Sequence, residues 1–228
     1  MQNEQWFSAC LDAGMVELGH FILSGDVHTG EYMNVATLLS RRGKLLDEFV
    51  QEAAAYLRSP MPFVFVGTGN GAHFINIVVQ VLGQQAYQSP DLWTAPKFAY
   101  ASRFEPGGRL EFRRGQDAVV RNAPVVIIDD VYVTGKTFGE LEELIYRSGG
   151  TLHSEVVLLN RSGESMSERR IACPTGITVP FHAVFEWSSD LWPTAALCPK
   201  CHLGVPINLE VGKGAAYHRV HGHPVAKS

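Results

Sequence analysis

Four cysteines in 228 residues, at positions 10, 173, 198 and 201, are too few and too unevenly spaced to frame a disulfide-stapled fold. No apolar run approaches the ~18–20 residues that cross a bilayer. The opening Met1-Gln2-Asn3-Glu4-Gln5 has neither the basic start nor the apolar stretch of a signal peptide. Basic residues are not massed anywhere: 19 Lys and Arg are scattered against 23 Asp and Glu, for a formal net charge of −4. A nucleic-acid or membrane-surface protein needs a concentrated basic face, so both classes are disfavoured. Internal repeats and low-complexity segments are lacking too. What is present is ordinary globular material, 46% hydrophobic and 18% charged. The expectation is a soluble, cytoplasmic chain with no nucleic-acid and no membrane partner, forming one domain over residues 1–228.

Hydrophobic periodicity sets out the elements. Leu45, Leu46, Phe49, Val50, Ala53 and Leu57 make a one-sided helical stripe over 44–57, and Pro60 and Pro62 then break the chain. Phe63-Val64-Phe65-Val66 is a short apolar strand, followed by the loop Gly67-Thr68-Gly69-Asn70-Gly71 and a helix from Phe74 to Leu82 closed by Gly83. The pattern recurs: a strand at Val125–Ile128, a loop at 129–136, a helix from about Thr137 to Arg147, and Gly149-Gly150 to end it. Val156–Leu159 is the next strand. Short, wholly apolar strands alternating with helices predict an open α/β fold whose parallel sheet is covered on both faces. Ligands in such folds bind beyond the carboxyl ends of the strands. Residues 97–114, with Gly107-Gly108 and Arg103, Arg109, Arg113 and Arg114, read as a protruding hairpin or mobile loop. The last fifty residues mix a strand signal at Thr178–Phe185 with Trp, Pro and His and are expected to wrap the sheet edge.

The most informative stretch is Val125-Val126-Ile127-Ile128-Asp129-Asp130-Val131-Tyr132-Val133-Thr134-Gly135-Lys136-Thr137. An apolar strand delivers two adjacent acids to its carboxyl end, and a turn of small residues opens a helix. Unpaired N–H groups at that helix start, with the hydroxyls of Thr134 and Thr137, make a cradle for a phosphate. The helix dipole adds only ~0.3–1 kcal/mol, so hydrogen bonds must do most of the holding. Two carboxylates beside the cradle can accept hydrogen bonds from sugar hydroxyls. Gly135-Lys136-Thr137 invites a triphosphate P-loop reading, but Asp130 stands where that motif requires Gly. Gly67, Gly69 and Gly71 likewise miss the last spacing of the dinucleotide fingerprint. The bland alternative, a strand end that caps a helix, needs one acid and leaves the second unexplained.

Residues 125–137 resemble the 5-phosphoribosyl-1-pyrophosphate (PRPP) signature of the type I phosphoribosyltransferases, with Tyr132 where that family usually has an aliphatic residue. The resemblance implies that Asp129 and Asp130 hold the ribose hydroxyls and that Val133, Thr134, Gly135, Lys136 and Thr137 hold the 5′-phosphate. It implies the family's fold, a parallel core over about 44–186 with a small hood from about 1–40 and the C-terminal segment, and a homodimer.

Further matches point to the orotate phosphoribosyltransferases. Gly19-His20-Phe21-Ile22-Leu23, with His28-Thr29 and Tyr32, is similar to their hood segment. Thr68, Gly69, Asn70 and Gly71 fall at the pyrophosphate loop, and Arg103 with Leu110–Gly115 resembles the flexible catalytic loop. Arg161 stands where that family's Arg holds the orotate carboxylate, and Phe21 is placed near the base. The implied reaction joins PRPP and orotate into orotidine 5′-monophosphate and pyrophosphate, with Mg²⁺ carried on PRPP near Asp129 and Asp130. Three departures stand: Gly25-Asp26 replaces Ser-Gly, Gly71-Ala72-His73 replaces a glycine pair, and the loop lacks a Lys-rich, His-containing motif. They keep two alternatives open, a phosphoribosyltransferase for a purine or uracil-like base and a PRPP-binding regulator without turnover.

Several other features carry weaker signals. Cys198-x-x-Cys201 with His202 is half a zinc site that Cys173 or His182 would complete, or else a turn with free thiols. His218, His221 and His223 read as a solvated tail, and Arg41-Arg42 as a solvated surface. Alternation predicts that one of Arg113 and Arg114 lays its stem on the core edge. Trp187 and Trp192 are expected to cover the sheet edge.

Overall fold

The structure, a computed structural model, describes residues 3–23, 25–40, 46–47, 50–51, 63–88, 97–105, 108–170, 176–187 and 190–222. Most of the helical stripe expected at 44–57 lies outside these residues, as do Pro60, Pro62, Arg41, Arg42, Gly107, Cys173 and His223. Leu46 and Val50, which are described, are both buried in the core.

The apolar segments become strands β3 (Val64–Thr68), β5 (Pro124–Tyr132), β6 (Thr151–Asn160) and β8 (Thr178–Glu186). With β4 (Lys97–Ala101) and β7 (Glu168–Arg170) they form a six-stranded sheet in the order β4-β3-β5-β6-β8-β7. Every pairing in it is parallel except β7 with β8. Alternate residues feed two cores, because successive side chains in a strand point to opposite faces. Phe65, Val126, Ile128, Val156 and Leu158 pack with Phe74, Ile75 and Val78 of helix α3 (Asn70–Gln88). Val64, Val66, Val125, Ile127 and Val157 pack instead with Phe138, Leu141, Leu144 and Ile145 of helix α5 (Lys136–Arg147). The two helices therefore cover opposite faces.

A second, three-stranded antiparallel sheet combines β1 (Val16–Ile22), β2 (His28–Met33) and β9 (Leu191–Trp192). It joins the N-terminal part of the chain to the segment after the large sheet. The described helices also include α1 (Asn3–Asp12), α2 (Val35–Ser40) and α4 (Gln116–Val120), then α6 (Pro199–His202) and α7 (Gly214–His221). No described helix is long and apolar enough to cross a membrane. Cys10 is fully buried in α1, and burial pushes its thiol up to about 12, so it packs as an inert apolar group.

Several boundaries differ from the sequence reading. Helix α3 runs through Gly83 to Gln88, since one interior glycine costs only ~1 kcal/mol against the good helix formers around it. Residues 97–101 are an edge strand paired in parallel with β3, and only the bridge Ser102↔Glu111 resembles a hairpin. Arg113 and Arg114 are both exposed, and Arg113 lays its guanidinium 3.4 Å above the Phe104 ring instead of lining the core edge. Trp187 stacks edge-on to Phe7 at 3.7 Å and packs on the core, while Trp192 pairs with His28 in the small sheet.

Candidate active site at the sheet switch point

Strand β5 is longer than its apolar run, and this places the acids. Its pairing with β3 stops at Val66↔Ile127, but its pairing with β6 continues to Tyr132↔Asn160. Asp129 and Asp130 thus lie inside a strand that one neighbour has already left. The chain after β3 turns off toward one face and the chain after β5 toward the other, the crevice where open α/β sheets bind ligands. The β3 loop must come very close. A Cβ on Gly67 would lie 2.6 Å from the Ile128 carbonyl oxygen, and one on Gly71 would lie 2.5 Å from Asp129 Oδ1. Only glycine fits either place.

The two acids differ in circumstance. Asp129 is 5% exposed, and its Oδ1 accepts a hydrogen bond from the Asp130 amide at 3.0 Å. Burial, and then the charge of Asp130, raises its carboxyl well above the usual range. Asp130 is half-buried, and its Oδ1 accepts from the Val131 amide at 3.0 Å.

Beyond them the chain turns at Gly135, whose φ of 74° lies in the left-handed region, and enters α5. Tyr132 takes its place beneath that turn. Its ring is 8% exposed and edge-on to Phe138 at 5.2 Å and Phe181 at 5.0 Å, and a Cβ on Gly135 would meet its hydroxyl at 2.8 Å. The aromatic residue noted as a departure therefore props up the turn.

A cavity of about 280 Å³ opens here, lined by Asp129, Asp130 and all of Val133, Thr134, Gly135, Lys136 and Thr137. Arg161 lines it from the other side. It is 3% exposed, and its Nη2 donates to Thr29 Oγ1 at 3.3 Å and to the Glu31 carbonyl at 3.2 Å. Burial lowers its pKa, partly offset by the charge of Glu31. A neighbouring cavity of about 480 Å³ shares Leu23, Lys136, Thr137 and Lys213 with the first, and adds Thr68, Arg103, Asp26 and Tyr217. Arg103 there is ion-paired with Glu140 and donates to the Gly108 carbonyl at 2.5 Å.

Sequence and structure part at a few residues. Phe21 lines neither cavity: it is 1% exposed and packs on Tyr32, which does face the first one. Gly69 and Gly71 also line neither, and Thr68 reaches the second. Asp26 sits at the edge of the second cavity, in a hood turn with φ 59°. Gly212 and Lys213 went unrecognised. The backbone N–H of Lys213 donates to the Ile22 carbonyl at 2.8 Å, and this brings its side chain to both cavities. A lysine bracketed by Gly212 and Gly214 was the available signal, since a Cβ on Gly212 would meet the Ile22 oxygen at 2.6 Å.

The site so built gathers an acid pair, a glycine turn that opens a helix and a buried arginine around one cavity at a sheet switch point. No family model matches the chain. A protein of Erythrobacter litoralis named orotate phosphoribosyltransferase is 28% identical over 171 residues, 74% of this chain and 76% of its own length. The orotate phosphoribosyltransferase of Aeropyrum pernix superposes with a TM-score of 0.51 at 16% identity, covering 78% of this chain and 92% of its own. An adenine phosphoribosyltransferase from Rhodothermus marinus superposes equally, at 0.51 and 17% identity, covering 81% of this chain and all of its own. The chain thus shares the fold of these solved phosphoribosyltransferases and is similar in sequence to proteins named orotate phosphoribosyltransferase. Among its relatives the name orotate phosphoribosyltransferase recurs.

Proposed function

We propose that this protein transfers ribose 5-phosphate from PRPP to orotate, forming orotidine 5′-monophosphate and releasing pyrophosphate. The observation that carries the proposal is the shared wall of the smaller cavity, where Asp129, Asp130, the 133–137 turn and Arg161 face one another. In this reading the turn binds the 5′-phosphate through its N–H groups, its two threonine hydroxyls and the Lys136 ammonium. Asp130 accepts hydrogen bonds from the ribose hydroxyls, and Asp129 fixes Asp130 from behind through its backbone amide. The C1′–oxygen bond to pyrophosphate breaks with its electron pair leaving on oxygen, while the ring nitrogen of orotate bonds to C1′ and its N–H proton passes to the departing pyrophosphate or to water.

Charge decides the rest. Positive character develops on the ribose as negative charge gathers on the leaving group. Lys136 and Lys213 line both cavities, and Thr68 and Arg103 line the larger one, where the leaving pyrophosphate would lie. Mg²⁺, a hard cation that prefers oxygen, would be carried on PRPP beside the Asp130 carboxylate and would neutralise the departing oxygens. Arg161 faces the carboxylate of orotate, and its bonds to Thr29 and Glu31 fix it in place beforehand.

A second reading keeps the chemistry and changes the base. It is favoured by Gly25-Asp26 of the segment between β1 and β2, which stands where the orotate enzymes usually have Ser-Gly. Purified protein is mixed with PRPP, Mg²⁺ and each of orotate, uracil, adenine and hypoxanthine, with pyrophosphate release as readout. Release with orotate and loss of orotate absorbance support the first reading. Release with another base alone replaces orotate. PRPP binding without release from any base marks a regulator.

A further inference from the structure

We propose that His20, His28, Cys198 and Cys201 form a tetrahedral Zn²⁺ site that fastens the C-terminal segment to the small antiparallel sheet. One ligand atom from each of the four residues lies within 4.8 Å of every other. His20 Nε2 is 3.0 Å from His28 Nδ1, 3.5 Å from Cys198 Sγ and 3.6 Å from Cys201 Sγ, and Cys201 Sγ is 3.4 Å from His28 Nδ1. Zinc bonds of ~2.0–2.1 Å to nitrogen and ~2.3 Å to sulfur put tetrahedral ligands about 3.5–3.6 Å apart for N···S and about 3.3 Å for N···N. The N···S separations match this, and the N···N pair is a few tenths of an ångström short.

The orientation of the rings agrees. His20 Nδ1 lies 2.8 Å from the Val205 carbonyl oxygen, an acceptor only, so that nitrogen carries the proton. In the neutral ring Nε2 then presents a lone pair to the other three ligands, and a backbone carbonyl behind a histidine ligand is the usual second support of a metal. His20, His28 and Cys198 are at most 1% exposed. Four soft or nitrogen donors closed off this way leave no open position, which marks a structural ion.

Three separate segments supply the ligands. His28 pairs with Ile22 across the β1–β2 ladder, and His20 lies two residues along β1. Cys198 and Cys201 flank the first turn of α6, with Pro199 at its start. His202 turns away to the Ala196 carbonyl at 2.8 Å, and His182 lies on β8 of the large sheet, so neither completes the cluster expected from the sequence. The two histidines of the small sheet, nearly 180 residues upstream, complete it instead. Tyr217 stands edge-on to the His28 ring at 5.2 Å and also lines the larger cavity. A metal here would hold that cavity wall in place.

Untagged full-length protein, prepared in reductant, should contain about one zinc per chain by mass spectrometry of the digested metal. After chelator treatment, Co²⁺ titration should give the intense visible bands of a tetrahedral site plus a near-ultraviolet thiolate band, saturating at about one equivalent. Cys198→Ser should weaken the thiolate band and the affinity for Co²⁺. Should that variant fail to fold, the wild-type titration decides alone. Metal-free protein whose Co²⁺ spectrum stays pale and unsaturable overturns the proposal, as does a Cys198–Cys201 disulfide that persists in reductant. None of these readouts depends on base transfer.

Discussion

Asp129 and Asp130 are chain neighbours under different physical constraints. Asp130 is half-buried and lines the cavity, so Asp130→Asn keeps the shape and removes charge. It should lower kcat/KM by ~100-fold or more, about 2.7 kcal/mol of transition-state stabilisation, while the melting temperature barely moves. Equal losses of both, in steady-state kinetics and calorimetry on one preparation, would make Asp130 structural. Asp129 should respond to pH. Its folded pKa is raised by burial, so the fold favours the protonated acid. That contribution is complete below the unfolded value of ~3.9 and is lost as pH rises through the folded value. Asp129→Asn should therefore gain stability relative to the wild type as pH rises above the unfolded value of ~3.9, read from denaturant midpoints. At this scale the sequence was generous, because a strand end, two acids and a Thr-Gly-x-Thr turn have few other uses. It misled at Phe21, where an aromatic expected near the base is buried against Tyr32 and lines neither cavity.

Strand β6, strand β7 and helix α5 meet in a charge cluster away from the cavity. Arg169 of β7 donates to Glu155 of β6 at 2.6 and 2.7 Å and is also ion-paired with Glu142 of α5. Two nearly inaccessible carboxylates share one guanidinium, and burial pushes Glu155 up to about 8. A raised acid pKa means stability that is full below the unfolded value of ~4.3 and is lost as pH rises through about 8. Melting temperature should fall between about pH 4.3 and about pH 8 and level off above that, and Glu155→Gln should flatten that fall without touching PRPP affinity. An unchanged slope in the variant would place the titration elsewhere. Element existence was legible from apolar runs, whereas element ends were not. Strand β5 outlasts its apolar residues because β6 continues to offer hydrogen-bond partners through Asn160, a fact of pairing that no local pattern records.

Across the whole molecule, residues far apart in the chain wall one site. Lys213 reaches both cavities because its backbone is hydrogen-bonded to Ile22, nearly two hundred residues earlier. Lys213→Ala should raise the KM for PRPP about 10-fold, consistent with a charged hydrogen bond of ~1.5–3 kcal/mol, and leave the melting temperature near the wild type. A change in kcat alone would assign Lys213 to the transition state instead. The proposed homodimer is checked by sedimentation, where a particle near 25.1 kDa would refute it.

By itself the sequence determined the parallel α/β core and the acid-bearing strand end with the glycine turn after it. Both are local: apolar runs specify buried strands, and adjacent residues supply the acids, the glycine bend and the hydroxyls. Tertiary structure alone decided that Arg161 faces that turn, that Lys213 joins it, and that two hood histidines meet two C-terminal thiols. Those meetings depend on how two sheets and a returning chain pack together, and spacing along the polymer carries no measure of that distance.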